Sequence, residues 1–180
     1  YNDYTYMYYS NSQAKTQLES WYQTNIGSKA DLAKNVASGA YYCEQAKVKR
    51  NSSWTSESAN MILYSSYTPD FKCATDGNGK GQANASVGLL TYDEVVYAGG
   101  YYYHNNSNYY LNNSAIYWWT MSPAGFSDSY SNAWSVSAPG EIINLDVGSA
   151  LRAVRPVLIL NAGTQISDGD GTKNNPFVVE

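Results

Sequence analysis

The chain has 180 residues, a formal net charge of −4 and only 14% charged residues; that length suits one domain able to bury about 70% of its unfolded surface. Its eleven Lys and Arg are scattered except for Lys47-Val48-Lys49-Arg50, so it offers no basic face for nucleic-acid phosphates, and that short cluster reads as a solvated loop. No stretch approaches the ~20 apolar residues of a membrane helix, and nineteen Tyr with abundant Asn and Ser supply the uncharged polarity common in secreted and cell-surface proteins.

The chain starts at Tyr1 with no visible signal peptide, which points to a processed piece whose leader or anchor lies upstream. "YTYMYYS", Tyr4 to Ser10, predicts an opening strand. Ser12 then caps a helix on which Leu18, Trp21, Tyr22 and Ile26 recur at helical spacing, with Gly27 at its stop. "KADLAKNVASG" predicts a second short helix ending at Gly39, or a loop with apolar anchors. "AYYCE" is a short strand leading into a polar loop.

Cys43 and Cys73 bracket that loop. A disulfide between them would contribute roughly 3.5 kcal/mol in the chain-entropy picture; the alternative is two buried free thiols in a cytosolic chain. The low-charge composition favours the disulfide. Two Cys and one His fall a ligand short of a tetrahedral zinc site, and no metal is expected.

"TPDFKCATDGNGKGQANAS" predicts loop. Its alternating Gly77, Gly79 and Gly81 lack the Lys-Ser/Thr and following helix of a phosphate cradle. "VGLLTYDEVVYAGG" carries the clearest helix signal. Thr91 and Glu94 form a capping box, Asp93 and Glu94 favour the positive helix end, Val95, Val96 and Tyr97 supply an apolar face, and Gly99-Gly100 stop it.

The residues from Tyr101 to Trp119 then hold six Tyr, five Asn, two Trp and two Ser, with no acidic or basic side chain apart from His104. The end of this run, "AIYWWTMS", alternates as a strand, with Ile116, Trp118 and Thr120 on one face, Tyr117, Trp119 and Met121 on the other, and Pro123 as terminator. "NAWSVSAPGEIIN" predicts a hairpin turning at Ala138-Pro139-Gly140. "AVRPVLIL" reads as a continuous strand buried on both faces, and "DGDGTKNNPFVVE" as a tight turn with a closing strand. The elements add up to an α+β chain with two early helices, then mostly antiparallel strands and long loops.

Catalytic chemistry is sparse. His104 is the only histidine, with no nucleophile motif beside it, and no close carboxylate pair stands out in the sequence. Asp168, Asp170 and Thr172 mimic the start of a calcium loop, but Lys173 takes the place of the required Gly and no Glu closes the motif, so a structural turn is expected. What remains is the front of the aromatic run. Tyr gives large contact area at low entropy cost, Asn and Ser give adaptable hydrogen bonds, and a long loop without regular structure is often functional.

The order "LESWYQTNI", "GLLTYDEVVYAGG", "NYYL", "YWWTMSP", "AWSVSAPGEI", "VRPVLIL" and "DGDGTKNNPFVVE" resembles a poorly characterised domain of Firmicutes surface proteins. That family is distantly similar to the formylglycine-generating-enzyme branch of the C-type lectin fold. The resemblance implies a single C-type lectin-like extracellular domain over residues 1–180, with two helices, a twisted antiparallel sheet, long loops, and a turn and closing strand at 161–180. It also implies a prepilin-type or other secretion leader and a pilus or cell-wall location. Cys43 and Cys73 both lie too early to serve as the oxidase cysteine pair. The calcium-ligand triplets Glu-Pro-Asn and Trp-Asn-Asp are absent from the sequence.

The expectation is therefore a non-enzymatic adhesion or binding domain on a bacterial surface, without cofactor, nucleic-acid partner or membrane span. Its partner would be a host or environmental glycan or protein. The expected contact residues are Tyr102, Tyr103, His104, Asn105, Tyr109, Tyr110, Asn112 and Asn113, flanked by Tyr130 and Asn132. Trp118, Trp134 and Arg155 belong to the core or its rim. The alternative is a pilin-like filament subunit that buries the same aromatic loop against neighbouring copies.

Overall fold

Ser12 starts the first helix as expected: its Oγ accepts from the Lys15 amide at 3.1 Å, satisfying one donor that a helix start leaves without an intrahelical partner. The computed structural model describes residues 8–44, 59–60, 69, 71–73, 81–102, 104–106, 109, 111, 116–127, 130–137, 140–148, 152–172 and 174–180. Helix α1 spans Gln13–Tyr22 and widens into a π turn at Gln23–Gly27. Leu18 and Tyr22 face inward one turn apart, while Trp21 turns outward. Helix α2 is one turn, Ala30–Ala33, and Gly39 serves a later turn at φ 70°.

The expected opening strand fails where it can be followed. Tyr9–Asn11 form a 3-10 turn, and Tyr4–Met7 lie outside the described residues. The physical reason is side-chain capture: the Ser10 amide and hydroxyl both donate to the Glu44 carboxylate, at 3.1 and 2.7 Å. Such bonds compete with a strand ladder.

Strand β1, Tyr41–Cys43, forms as predicted. It pairs with β3, Gln82–Asn84, a segment expected to be loop. Alternation was present there but weak, because Ala83 and Ala85 are the inward residues. The Cys43–Cys73 disulfide forms, with the Cα atoms 4.9 Å apart. The loop it closes is not wholly irregular: β2, Ala59–Asn60, pairs antiparallel with Gly125 and Phe126.

Helix α3, Tyr92–Tyr97, carries the predicted capping box. The Glu94 amide donates to Thr91 Oγ1 at 3.2 Å, and the Thr91 amide donates to Glu94 Oε2 at 2.7 Å. Val95 is buried and Val96 half-buried, but Tyr97 points outward.

The main sheet holds β4 (Tyr101–Tyr102), β5 (Trp118–Ser127), β6 (Tyr130–Val136), β7 (Glu141–Asp146) and β8 (Ala153–Val154). Its order is β2-β5-β6-β7-β4, with β8 beside β5. It is mixed, because β4 runs parallel to β7 and β8 parallel to β5. The fold is α+β.

Pro123 does not stop β5. The β5–β6 register shifts on either side of it, between Trp119 and Pro123 and between Pro123 and Gly125. Such irregularity accommodates a residue that cannot donate to the ladder. The β6–β7 turn sits where predicted: Gly140 adopts φ 79°, and the Ser137 amide donates to Glu141 O at 2.8 Å.

"AVRPVLIL" is not one buried strand. Beyond β8 it makes only isolated bridges, Gly88 with Val157 and Val36 with Leu160, and Ile159 and Leu160 are exposed. Pro156 has no N–H to continue a ladder. The chain closes as a hairpin of β9, Ile166–Asp168, and β10, Val178–Val179.

Two apolar clusters form the core. One joins Leu18, Tyr22, Tyr42, Val87, Leu89 and Met121; the other joins Tyr92, Val95, Tyr109, Trp118, Trp134, Val136 and Ile142. Between them, the Met121 amide donates to Leu90 O at 2.7 Å and the Tyr92 amide to Ser122 Oγ at 2.8 Å. Gly88 lets the first cluster close, since a Cβ there would strike the Tyr42 ring.

Trp134→Ala is expected to lower unfolding free energy by about 3–5 kcal/mol, and Thr91→Ala by about 1 kcal/mol. Urea titration measures both. Equal losses for the two variants would contradict this placement of the core.

Candidate binding surface

The aromatic run springs from a fixed base. Helix α3 ends at Gly99, which adopts φ 101°, a left-handed conformation suited to glycine. The Gly100 amide donates to Val95 O at 2.8 Å, and a Cβ on Gly100 would crowd Val95 and Ile142. The chain then enters β4 beside β7. There the half-buried Tyr102 meets the Trp134 ring edge-on, with centroids 5.4 Å apart and planes at 89°.

Beyond β4 the chain folds back over the end of α3. The Asn106 amide nitrogen donates to Gly99 O at 2.5 Å. The Tyr109 amide donates to Asn106 O at 3.1 Å, and the Tyr109 side chain is buried in the second core cluster, only 2% exposed. Leu111 packs against the same cluster. Between these anchors, His104 and Asn105 are exposed.

The expected contact residues therefore separate. His104 and Asn105 lie on the surface, Tyr102 is half-buried on Trp134, and Tyr109 lies in the core. Tyr103, Tyr110, Asn112 and Asn113 fall outside the described residues, as does the side chain of Tyr130. Asn132 is half-buried on β6 opposite Asp146, whereas β4 meets β7 at Glu141 and Ile142. Four residues of strand separate the two levels, about 13 Å, so Asn132 does not join Tyr102. Trp118 and Trp134 are buried as expected, and the Arg155 guanidinium lies 5.0 Å from the Trp118 ring centroid, at the core's rim.

Two exposed aromatics stand at the end of α3: Tyr97, expected on the helix's apolar face, and Phe71, which the sequence did not single out. Phe71 and Tyr97 meet edge to face, with centroids 5.1 Å apart and planes at 83°. They are 56% and 74% exposed. A helical wheel carries the signal for Tyr97: five residues after the buried Tyr92, it lies about 140° around the helix. Phe71, in an irregular stretch, gives no periodic signal.

Among the described residues, no group of three His, Cys, Asp or Glu side chains is placed to hold a metal ion. The carboxylates of the closing turn serve the turn itself. The Gly169 amide donates to Asp168 Oδ1 at 2.7 Å and the Thr172 amide to Asp170 Oδ1 at 2.9 Å. The Asp170 carboxyl is held below its ordinary value of 3.8, chiefly by hydrogen bonds from the Thr172 side chain and amide.

The fold and surface define a disulfide-bonded α+β domain with an anchored aromatic and amide-rich loop. No family model, curated protein or solved structure matches the chain significantly.

The hydrogen bonds that Asp170 accepts are stronger to its ionised form. Its contribution to the turn is therefore full above the ordinary carboxylate range and lost as pH falls through the lowered value. An NMR titration of the Thr172 amide should show a midpoint below 3.8. A midpoint at or above that value would contradict the geometry.

Proposed function

We propose that this chain is an extracellular binding domain of a bacterial surface protein, an adhesin or pilin-type head, and not an enzyme. The observation that carries this reading is the anchored loop: Tyr102 and Tyr109 are fixed at the core while His104 and Asn105 face solvent. A contact surface held in this way loses little conformational entropy on binding. The low charge and the Cys43–Cys73 disulfide fit an oxidising, extracellular setting. The sequence order that resembles Firmicutes surface domains supports a C-type lectin-like topology, within which the α+β arrangement is compatible. No described helix is long and apolar enough to cross a membrane.

A second reading, a filament subunit, draws on a different surface from the loop first considered. The closing hairpin exposes Ile166, Phe177, Val178 and Val179, and an isolated two-stranded hairpin has little stability of its own. Neighbouring copies covering it would resolve both points.

The test is binding of fluorescently labelled domain to epithelial cells and to insoluble polysaccharides. Saturable binding that weakens about tenfold in a His104→Ala/Asn105→Ala double variant supports the adhesin reading. Absence of binding, together with concentration-dependent assembly that Phe177→Ser abolishes in sedimentation, would transfer support to the filament.

A further inference from the structure

We propose that Phe71 and Tyr97 form the stacking platform of a site for a neutral saccharide, a pyranose laid with its C–H face on one ring. This rests on the binding reading above and gives that surface a ligand class.

Fully burying a Phe side chain yields about 1.5–3 kcal/mol, yet both rings remain more than half exposed. Single exposed aromatics are ordinary. Two brought from separate elements into edge-to-face contact at 5.1 Å make a rigid corner instead. The contact itself contributes about 0.5–1.5 kcal/mol beyond area burial, which holds the rings in place while most of their surface stays open.

Both rings are preorganised by the fold. Tyr97 is the last residue of α3, whose start is fixed by the Thr91–Glu94 capping box. Phe71 stands two residues before Cys73, which is bonded to Cys43 on β1. Each ring is therefore tethered by a different part of the fold.

Asn106 binds Gly99 O, two residues beyond Tyr97, and so brings the 104–106 loop against the same end of α3. His104 and Asn105 are exposed there. From Tyr97 to Asn106 the sequence has no carboxylate, ammonium or guanidinium, and the two charged residues next to Phe71, Asp70 and Lys72, are of opposite sign, so neither flank supplies an excess of charge to select a strongly charged ligand. Amide and imidazole groups donate to and accept from hydroxyls. A neutral pyranose offers the complement: an apolar face for an aromatic ring and a rim of hydroxyls for amides.

The experiment is saturation-transfer difference NMR with methyl β-glucopyranoside, methyl β-galactopyranoside, methyl α-mannopyranoside and N-acetylglucosamine at millimolar concentration. Wild type is compared with Phe71→Ala, Tyr97→Ala and Tyr97→Phe, each checked by near-UV circular dichroism and by mass for an intact disulfide. Saturation transfer to the C–H protons of at least one sugar is expected. It should fall about tenfold in both alanine variants and persist in Tyr97→Phe, which keeps the ring. No transfer to any of the four sugars, or transfer unchanged in the alanine variants, would overturn the proposal. Cell binding separates the two levels of inference. Binding that survives periodate but not protease treatment would overturn the saccharide assignment and leave the adhesin reading standing. Absence of cell binding would instead count against the adhesin reading.

Discussion

The packing of Trp134 organises the base from which the aromatic run springs. The side chain is completely buried on the middle strand of the main sheet. Tyr92 from α3 lies against it at 4.8 Å between ring centroids, and Tyr102 from β4 meets it edge-on at 5.4 Å. One side chain thus fixes the helix before the aromatic run and the strand that begins it. The strand carrying Trp134 is tied in turn, because Thr120 Oγ1 on β5 donates to Trp134 O at 2.9 Å. Aromatic pairs of this kind add directionality that aliphatic packing lacks.

From that base, the loop's character follows from which residues it commits to the interior. Tyr109 goes into the core and Asn106 closes back on Gly99, leaving a short exposed stretch with His104 and Asn105. The disulfide ties the chain two residues after Phe71 to β1, and Phe71 meets Tyr97 edge to face. A surface built on two such anchors has fewer conformations to lose on contact. That property suits a binding domain, and it would equally suit a subunit interface.

What could be read from the sequence was what short-range chemistry determines. The Ser12 and Thr91 caps and the turn at Gly140 depend on residues within a few positions of one another, and all three formed; the closing hairpin, whose strands flank a Gly-Asp turn, formed too. The misread elements depend on distant partners. β3 exists because β1 lies beside it, and β5 continues through Pro123 because β6 tolerates a register shift. Apolar composition after Arg152 says nothing about the lack of a continuous strand partner there. The front of the aromatic run reads as one contact surface because tyrosine serves cores and contact faces equally well. Composition alone could not divide Tyr109 from His104. The contact between Phe71 and Tyr97 is not legible in the sequence because the two residues lie far apart along the chain.

Hydrogen exchange at the Tyr109 amide, measured beside that of Met121, tests the anchoring of the loop most directly. Met121 donates to Leu90 O between the two core clusters and Tyr109 donates to Asn106 O within the loop. If the loop is locked to the core as described, both amides exchange slowly, and Trp134→Ala accelerates Tyr109 along with Met121. A Tyr109 amide that exchanges at the rate of an unstructured peptide in the wild-type protein, while Met121 stays protected, would contradict an anchored surface.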